Sequence, residues 1–190
     1  ILSINFFIDE YSYYFNDVII KLYFHSKGPM KLDETDLKIL RYLQENGRYT
    51  TKALADKLSL STTPVFERVK KKEKEGLIKK YVAILNERKV GLKQTVFISI
   101  SLIEHTRSYL DKFIDDINKF HEVLECYHIA GDYDFLLKVV VKDVESYEKF
   151  ITTKLSIISN IGKVQTHIAL SRKKYTTELD LSELKSWNCW

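Results

Sequence analysis

The sequence predicts an α+β protein in two parts: three short helices first, then a β-α-β-β-α-β unit. Three observations carry this reading. Apolar residues recur at helical spacing between Leu32 and Gly76. After Gly76 the period shifts to strand-like alternation, interrupted twice by helical spacing. Punctuation is sparse, with six glycines and two prolines in 190 residues, so long disordered linkers are not expected.

Residues 1–29 are rich in Ile, Phe and Tyr and have no clear period. Asp9, Glu10 and Asp17 interrupt any run long enough to span a bilayer. The basic start and small-residue cleavage site of a signal peptide are missing. Met30, the single methionine, follows Gly28-Pro29. The favoured reading is a natural start at Met30 with 1–29 as an upstream extension outside the fold; the alternative is a genuine extra helix.

From Leu32 the pattern is regular. Asp33 is placed to cap a helix, with Leu32 in the staple position before it. Leu37, Ile39, Leu40 and Leu43 supply its apolar face, and Asn46-Gly47 should stop it. Thr50 or Thr51 then caps a second helix through Leu58, and Ser59-Leu60 makes a tight turn. Ser61 caps a third helix, in which Pro64 falls in the tolerated first turn. Gly76 ends it. Three helices in so few residues, the last two joined by so short a turn, make a helix-turn-helix (winged-helix-like) domain.

Ile78–Leu85 reads as an extended strand leading out of this unit. Gln94–Ile103 alternates and is rich in β-branched residues, so it is a strand. Ser108–Phe120 is a helix, with Leu110, Phe113, Ile114 and Ile117 inward. Val123–Ala130 and Phe135–Val141 are strands around a Gly131-Asp132-Tyr133-Asp134 turn. Val144–Ile157 is helical and Val164–Leu170 is a last strand. This is the ferredoxin-like order, a four-stranded sheet with both helices on one face. The other face needs cover, and a second copy of the sheet is the economical cover. Homodimerisation is therefore expected.

Composition narrows the chemistry. The net charge of +4 is mildly basic, so a case for nucleic acid must rest on where the cations sit. Two cysteines, Cys126 and Cys189, are too few for a disulfide framework and are not spaced as a zinc site. A reducing, cytoplasmic setting is the simplest reading. No glycine-rich phosphate loop, metal-ligand cluster or nucleophile elbow appears, so neither cofactor nor metal is expected and the chain is not read as an enzyme.

The third helix carries Arg68, Lys70, Lys71, Lys72 and Lys74, and opens with Ser61, Thr62 and Thr63. Hydroxyls and backbone N–H groups hold phosphates, and longer side chains reach base edges in a major groove. The candidate DNA-binding set is Ser61, Thr62, Thr63, Glu67, Arg68, Lys70 and Lys71. The bland alternative is a solvated face balanced by Glu67, Glu73 and Glu75. Val65 and Val69 read as core, and Phe66 as ambiguous. In the hairpin, Asp132 and Asp134 could hold an ammonium, and Gly131 would let backbone N–H groups approach a carboxylate. Gly-Asp pairs also make ordinary hairpins. Cys126 and His128 lie two apart on one strand and share a face. With Asp132 they suggest a nucleophile pair, although an ordinary interface position is the commoner meaning.

With these residues in view, the chain resembles the leucine-responsive regulator/asparagine-activator (Lrp/AsnC) family of prokaryotic transcription factors, over about Leu32 to Tyr175. LSLSTTPVFERVKKKEKEGLIKKY resembles that family's recognition helix and following strand, and ECYHIAGDYDFLLK its regulatory hairpin. The resemblance implies a sequence-specific regulator of double-stranded DNA whose regulatory domain binds an amino acid. It also implies dimers that assemble further, often into octamers. By position it assigns effector contacts to His128, Gly131, Asp132 and Asp134, and to His167, Ile168 and Ala169 on the last strand. The expected segments are 30–79 for DNA binding, 80–92 as a linker strand, 93–175 as the regulatory domain and 176–190 as a tail. Three departures stand out. Ala130 replaces a common serine, and His128 and His167 replace apolar or aromatic residues, which leaves the effector's identity open. Lys72 replaces a packing leucine: it either runs along the surface, with its charge near DNA, or weakens the domain. The alternative of the same fold is an effector-binding or assembly protein with little specific DNA binding.

Overall fold

The structure is a computed structural model that describes residues 32–182 and 184. The expectations for 1–29, for Met30 and for Cys189 fall outside the described residues. The described residues form two compact units, one of 32–82 with the start of the tail from 176 and one of 83–175.

In the first unit, α1 spans Glu34–Glu45, α2 Thr51–Leu58 and α3 Thr62–Lys74. Asp33 caps α1 in a capping box: its carboxylate accepts from the Asp36 N–H at 2.8 Å, and Asp36 reaches back to the Asp33 N–H. Thr50 caps α2 through the Ala53 N–H at 3.1 Å. Ser59 closes α2 in the left-handed region with φ 53°, which lets the chain turn within two residues into α3. Gly76, at φ +76°, takes the left-handed position after α3. Ile39, Leu54, Ala55 and Val65 form the core where the three helices meet, with Val69 half-buried against it. Lys57 lies over the Tyr42 and Tyr49 rings, 5.0 and 5.2 Å from their centroids, and so ties α2 to α1. The tail joins this unit: the Gln44 amide brackets Leu179, accepting from its N–H at 2.7 Å and donating to its carbonyl at 3.1 Å.

In the second unit, β1 is Gln94–Leu102, α4 Arg107–Ile117, β2 Val123–His128, β3 Phe135–Val141, α5 Val144–Thr153 and β4 Ile161–Ile168. The sheet is antiparallel in the order β2-β3-β1-β4. Val96, Ile98 and Ile100 of β1 and Phe135, Leu137 and Val139 of β3 face the helices, where Phe113, Ile117 and Phe150 complete the core. The alternate residues face away. Register sets Phe97 between Lys138 and His167, and Ser99 between Leu136 and Gln165. Among the described residues no helix covers this second face.

The elements differ from the sequence reading at their ends. The fourth helix stops at Ile117 rather than Phe120, and the fifth at Thr153, with a 3-10 turn over Leu155–Ile157. The last strand begins three residues earlier than expected, at Ile161, and leaves Ala169 just beyond it, although the Ala169 N–H still donates to the Thr95 carbonyl at 3.0 Å. The segment read as a strand over 78–85 forms no ladder in the single chain. Alternation alone does not make a strand; a partner must take up its N–H and C=O groups.

Candidate nucleic-acid interface and effector hairpin

Helix α3 has a buried side and an exposed side. Val65 is 0% exposed, and Thr62, Thr63, Phe66, Glu67, Lys70, Lys71 and Lys74 are exposed. The Ser61 side chain makes no capping bond, so the first turn of α3 keeps free backbone donors. Hydroxyls, N–H groups and three cations thus share one accessible surface. Lys70 and Lys71 lean on Glu73 and Glu75 at 3.2 and 3.9 Å, weak surface pairs that polyanion phosphates can replace.

Two cations of α3 do not belong to that surface. The Arg68 Nη1 donates to Asp33 Oδ2 at 2.5 Å and to Asp36 Oδ1 at 2.7 Å. Hydrogen bonds donated to the Asp36 and Asp33 carboxylates push the guanidinium's pKa up. At Asp33, burial pushes the carboxyl up, but the Asp36 N–H and Arg68 outweigh it and the net shift is downward. Arg68, expected to reach a base edge, is instead a strut between α3 and α1. Lys72 corrects a second expectation. Its side chain is 4% exposed and its Nζ sits 3.0 Å from Asp36 Oδ2 and 3.8 Å from Glu75. The expected surface path toward DNA is absent, because the partner for its charge lies inside the domain.

In the hairpin, Gly131 adopts φ +138°, a conformation other residues rarely hold. The two carboxylates divide in role. Asp134 turns inward: its Oδ2 accepts from the Leu102 N–H at 2.7 Å and from Ser101 Oγ at 3.3 Å, and lies 3.1 Å from His105 Nε2. Through that oxygen it stitches the hairpin to the end of β1, a structural role that the sequence reading did not assign to it. Asp132 is exposed, with no side-chain partner among the described residues. Tyr133 reaches Gln165 of β4 with its hydroxyl, and its ring lies 5.0 Å from Lys163 Nζ. No spacing rule in the sequence points to Ser101, His105 or Gln165; register alone brings them to the hairpin.

The rest of the expected effector set does not converge in one chain. His128 stacks on Phe135 at 5.0 Å, on the helix side of the sheet. His167 pairs with Phe97 on the uncovered side. Their strands are opposite edges of the sheet, three strand spacings or about 14 Å apart. Ile168 and Ala169 lie on the same edge as His167. The nucleophile reading also loses ground: Cys126 is half-buried against the core, and burial pushes its thiol pKa up, away from the thiolate. The recess of about 260 Å³ among Ile151, Leu155, Ser156, Ile158, Ile161 and Val164 is largely apolar and excludes the hairpin.

A three-helix unit presenting a basic helix, followed by a βαββαβ domain, defines a transcriptional regulator with separate DNA-binding and ligand-binding domains. Residues 32–79 match the winged helix-turn-helix DNA-binding domain, and 95–179 the Lrp/AsnC ligand binding domain. The chain belongs to the Lrp/AsnC family. It is 39% identical over 153 residues to the transcriptional regulator AzlB of Bacillus subtilis, covering 80% of this chain and 98% of that one. It is 39% identical over 140 residues to the Bkd operon transcriptional regulator of Pseudomonas aeruginosa, covering 74% and 92%. Among solved structures, a regulator from Neisseria meningitidis in complex with L-Met superposes with TM-score 0.77 at 33% identity, covering 81% of this chain and 99% of that one. An AsnC family regulator from Agrobacterium tumefaciens gives 0.76 at 42%, covering 79% and 97%.

Proposed function

We propose that this chain binds a roughly palindromic DNA site as a homodimer in the cytoplasm, and that an amino acid bound at the regulatory domains changes that binding. The observation that carries the proposal is the exposed face of α3, where Thr62, Thr63, Lys70 and Lys71 stand clear of the domain while Arg68 and Lys72 fix the helix from behind. An amino-acid effector is supported by the L-Met complex of the Neisseria relative. In this reading Asp132 holds the ammonium and the N–H groups around Gly131 hold the carboxylate. The separation of His128 from His167 supports an effector site shared between copies, hence a dimer and higher assemblies such as an octamer. The chain acts by binding rather than catalysis and needs no cofactor. No described helix is long and apolar enough to cross a membrane.

The test has two arms. Binding to a selected duplex, followed by fluorescence anisotropy at several salt concentrations, should weaken steeply with salt, and each of Lys70→Ala and Lys71→Ala should reduce the slope by about one. A thermal-shift screen of the twenty amino acids should find a stabilising effector, and Asp132→Asn should lose that shift. Salt-independent DNA binding would remove the DNA role; a full effector shift in Asp132→Asn would remove Asp132 from the site.

A further inference from the structure

We infer that Phe66 is a specificity-determining residue that reads the 5-methyl group of a thymine in the major groove. The inference rests on the DNA-binding reading above and adds to it a residue that the charge pattern does not reveal. Phe66 is 44% exposed, on a helix whose other exposed residues, Pro64 apart, are polar or charged. At 3.6 residues per turn, Thr63, Phe66 and Lys70 fall within about 60° of one another, away from the buried Val65 and Lys72. Lys70 Nζ lies 5.8 Å from the centre of the Phe66 ring, so cation and ring form one surface.

Position along the helix matters as well. Phe66 lies in the N-terminal half of α3, the part of a recognition helix that meets base edges. An exposed ring flanked by Glu67, Lys70, Lys71 and Lys74 is poorly matched to an apolar protein surface, since interface cores are depleted in charge. It is well matched to a groove walled by phosphates, in which the one apolar group on a base edge is the thymine methyl. The two neighbours then divide the work: Lys70 meets phosphate or a purine edge, and the ring covers the methyl beside it.

The experiment removes the methyl and keeps everything else. Duplexes are selected from a random pool with the wild-type protein, and each thymine of the preferred site is replaced in turn by deoxyuridine. At one thymine in each half-site, the replacement should weaken wild-type binding by about fourfold, the effect of desolvating one methyl group. The same replacement should leave Phe66→Ala unaffected, and Phe66→Leu, which keeps apolar surface, should retain discrimination. Phe66→Ala should melt as the wild type does, because the side chain is outside the core. If no thymine is sensitive to loss of its methyl, or if sensitivity is equal in wild type and Phe66→Ala while both keep the same salt slope, the assignment is overturned and the DNA-binding reading stands. A wild-type protein that enriches no sequence overturns both.

Discussion

Asp36 holds two cations of α3. Its carboxylate bonds Arg68 at 2.7 Å and Lys72 at 3.0 Å, and it is 6% exposed. A helical pattern with Asp at the start reads as a cap, and Asp36 does take part in the capping box. Its second role is invisible to local spacing, because its partners lie 32 and 36 residues away. The same fact explains why Lys72 stands where the resemblance leads one to expect leucine. A lysine at a packing position is tolerable only with a carboxylate to meet it, and the carboxylate is on α1. Replacing Asp36 by Ala takes away the nearer counter-charge of a buried ammonium, leaving Glu75 at 3.8 Å, and should cost about 3 kcal/mol of stability. Lys72→Leu leaves Asp36 paired with Arg68 and should cost much less. Urea denaturation of both variants checks the order, and an Asp36→Ala loss of only about 1 kcal/mol would show that Asp36 acts only as a cap.

At the scale of elements, the order of helices and strands was legible from periodicity because each element buries one face. The bounds were less so. Helix α5 and the 3-10 turn share helically spaced apolar residues, Ile151, Leu155 and Ile158, so the two look continuous in sequence. The hairpin was legible as a turn through Gly131, but the roles of its carboxylates were not. Both Asp132 and Asp134 read as ligand groups, and only the pairing of Phe135 with Ile100 brings Asp134 to the Leu102 N–H. Removing that carboxylate frees a half-buried backbone donor and loosens the hairpin from β1. Asp134→Ala should therefore lower stability by about 1–3 kcal/mol. It should also weaken effector binding indirectly, through a more mobile loop. The expected signature is faster amide exchange over 129–135 and at Leu102, together with a lowered melting temperature. Asp132→Asn should show neither change, since its side chain has no partner to lose.

At the scale of the whole chain the two units in series were legible, and among the described residues one face of the sheet carries no cover. Phe97 sits on β1, an interior strand, at 36% exposure, with Leu136 and the 50% exposed Tyr127 nearby on that face. Water-facing sheet sides are usually polar. Here Phe97, Leu136 and Tyr127 surround a Glu125–Lys138 pair at 2.6 Å, the composition of an interface with internal polar anchoring. A homodimer through this face would set two α3 helices on one DNA molecule, so that the second contact becomes intramolecular and strengthens binding by about 10²–10⁴. Phe97→Glu places a carboxylate on this surface in both copies, where repulsion and desolvation oppose association. The variant should keep its sheet core, since Phe97 points away from Val96 and Ile98, and should sediment as a monomer at concentrations where the wild type is a dimer or larger. Its affinity for a two-half-site duplex should fall toward that for a single half-site. Unchanged sedimentation would place the dimer contact elsewhere, whereas a monomer that still binds the full site as tightly would show that one α3 is enough.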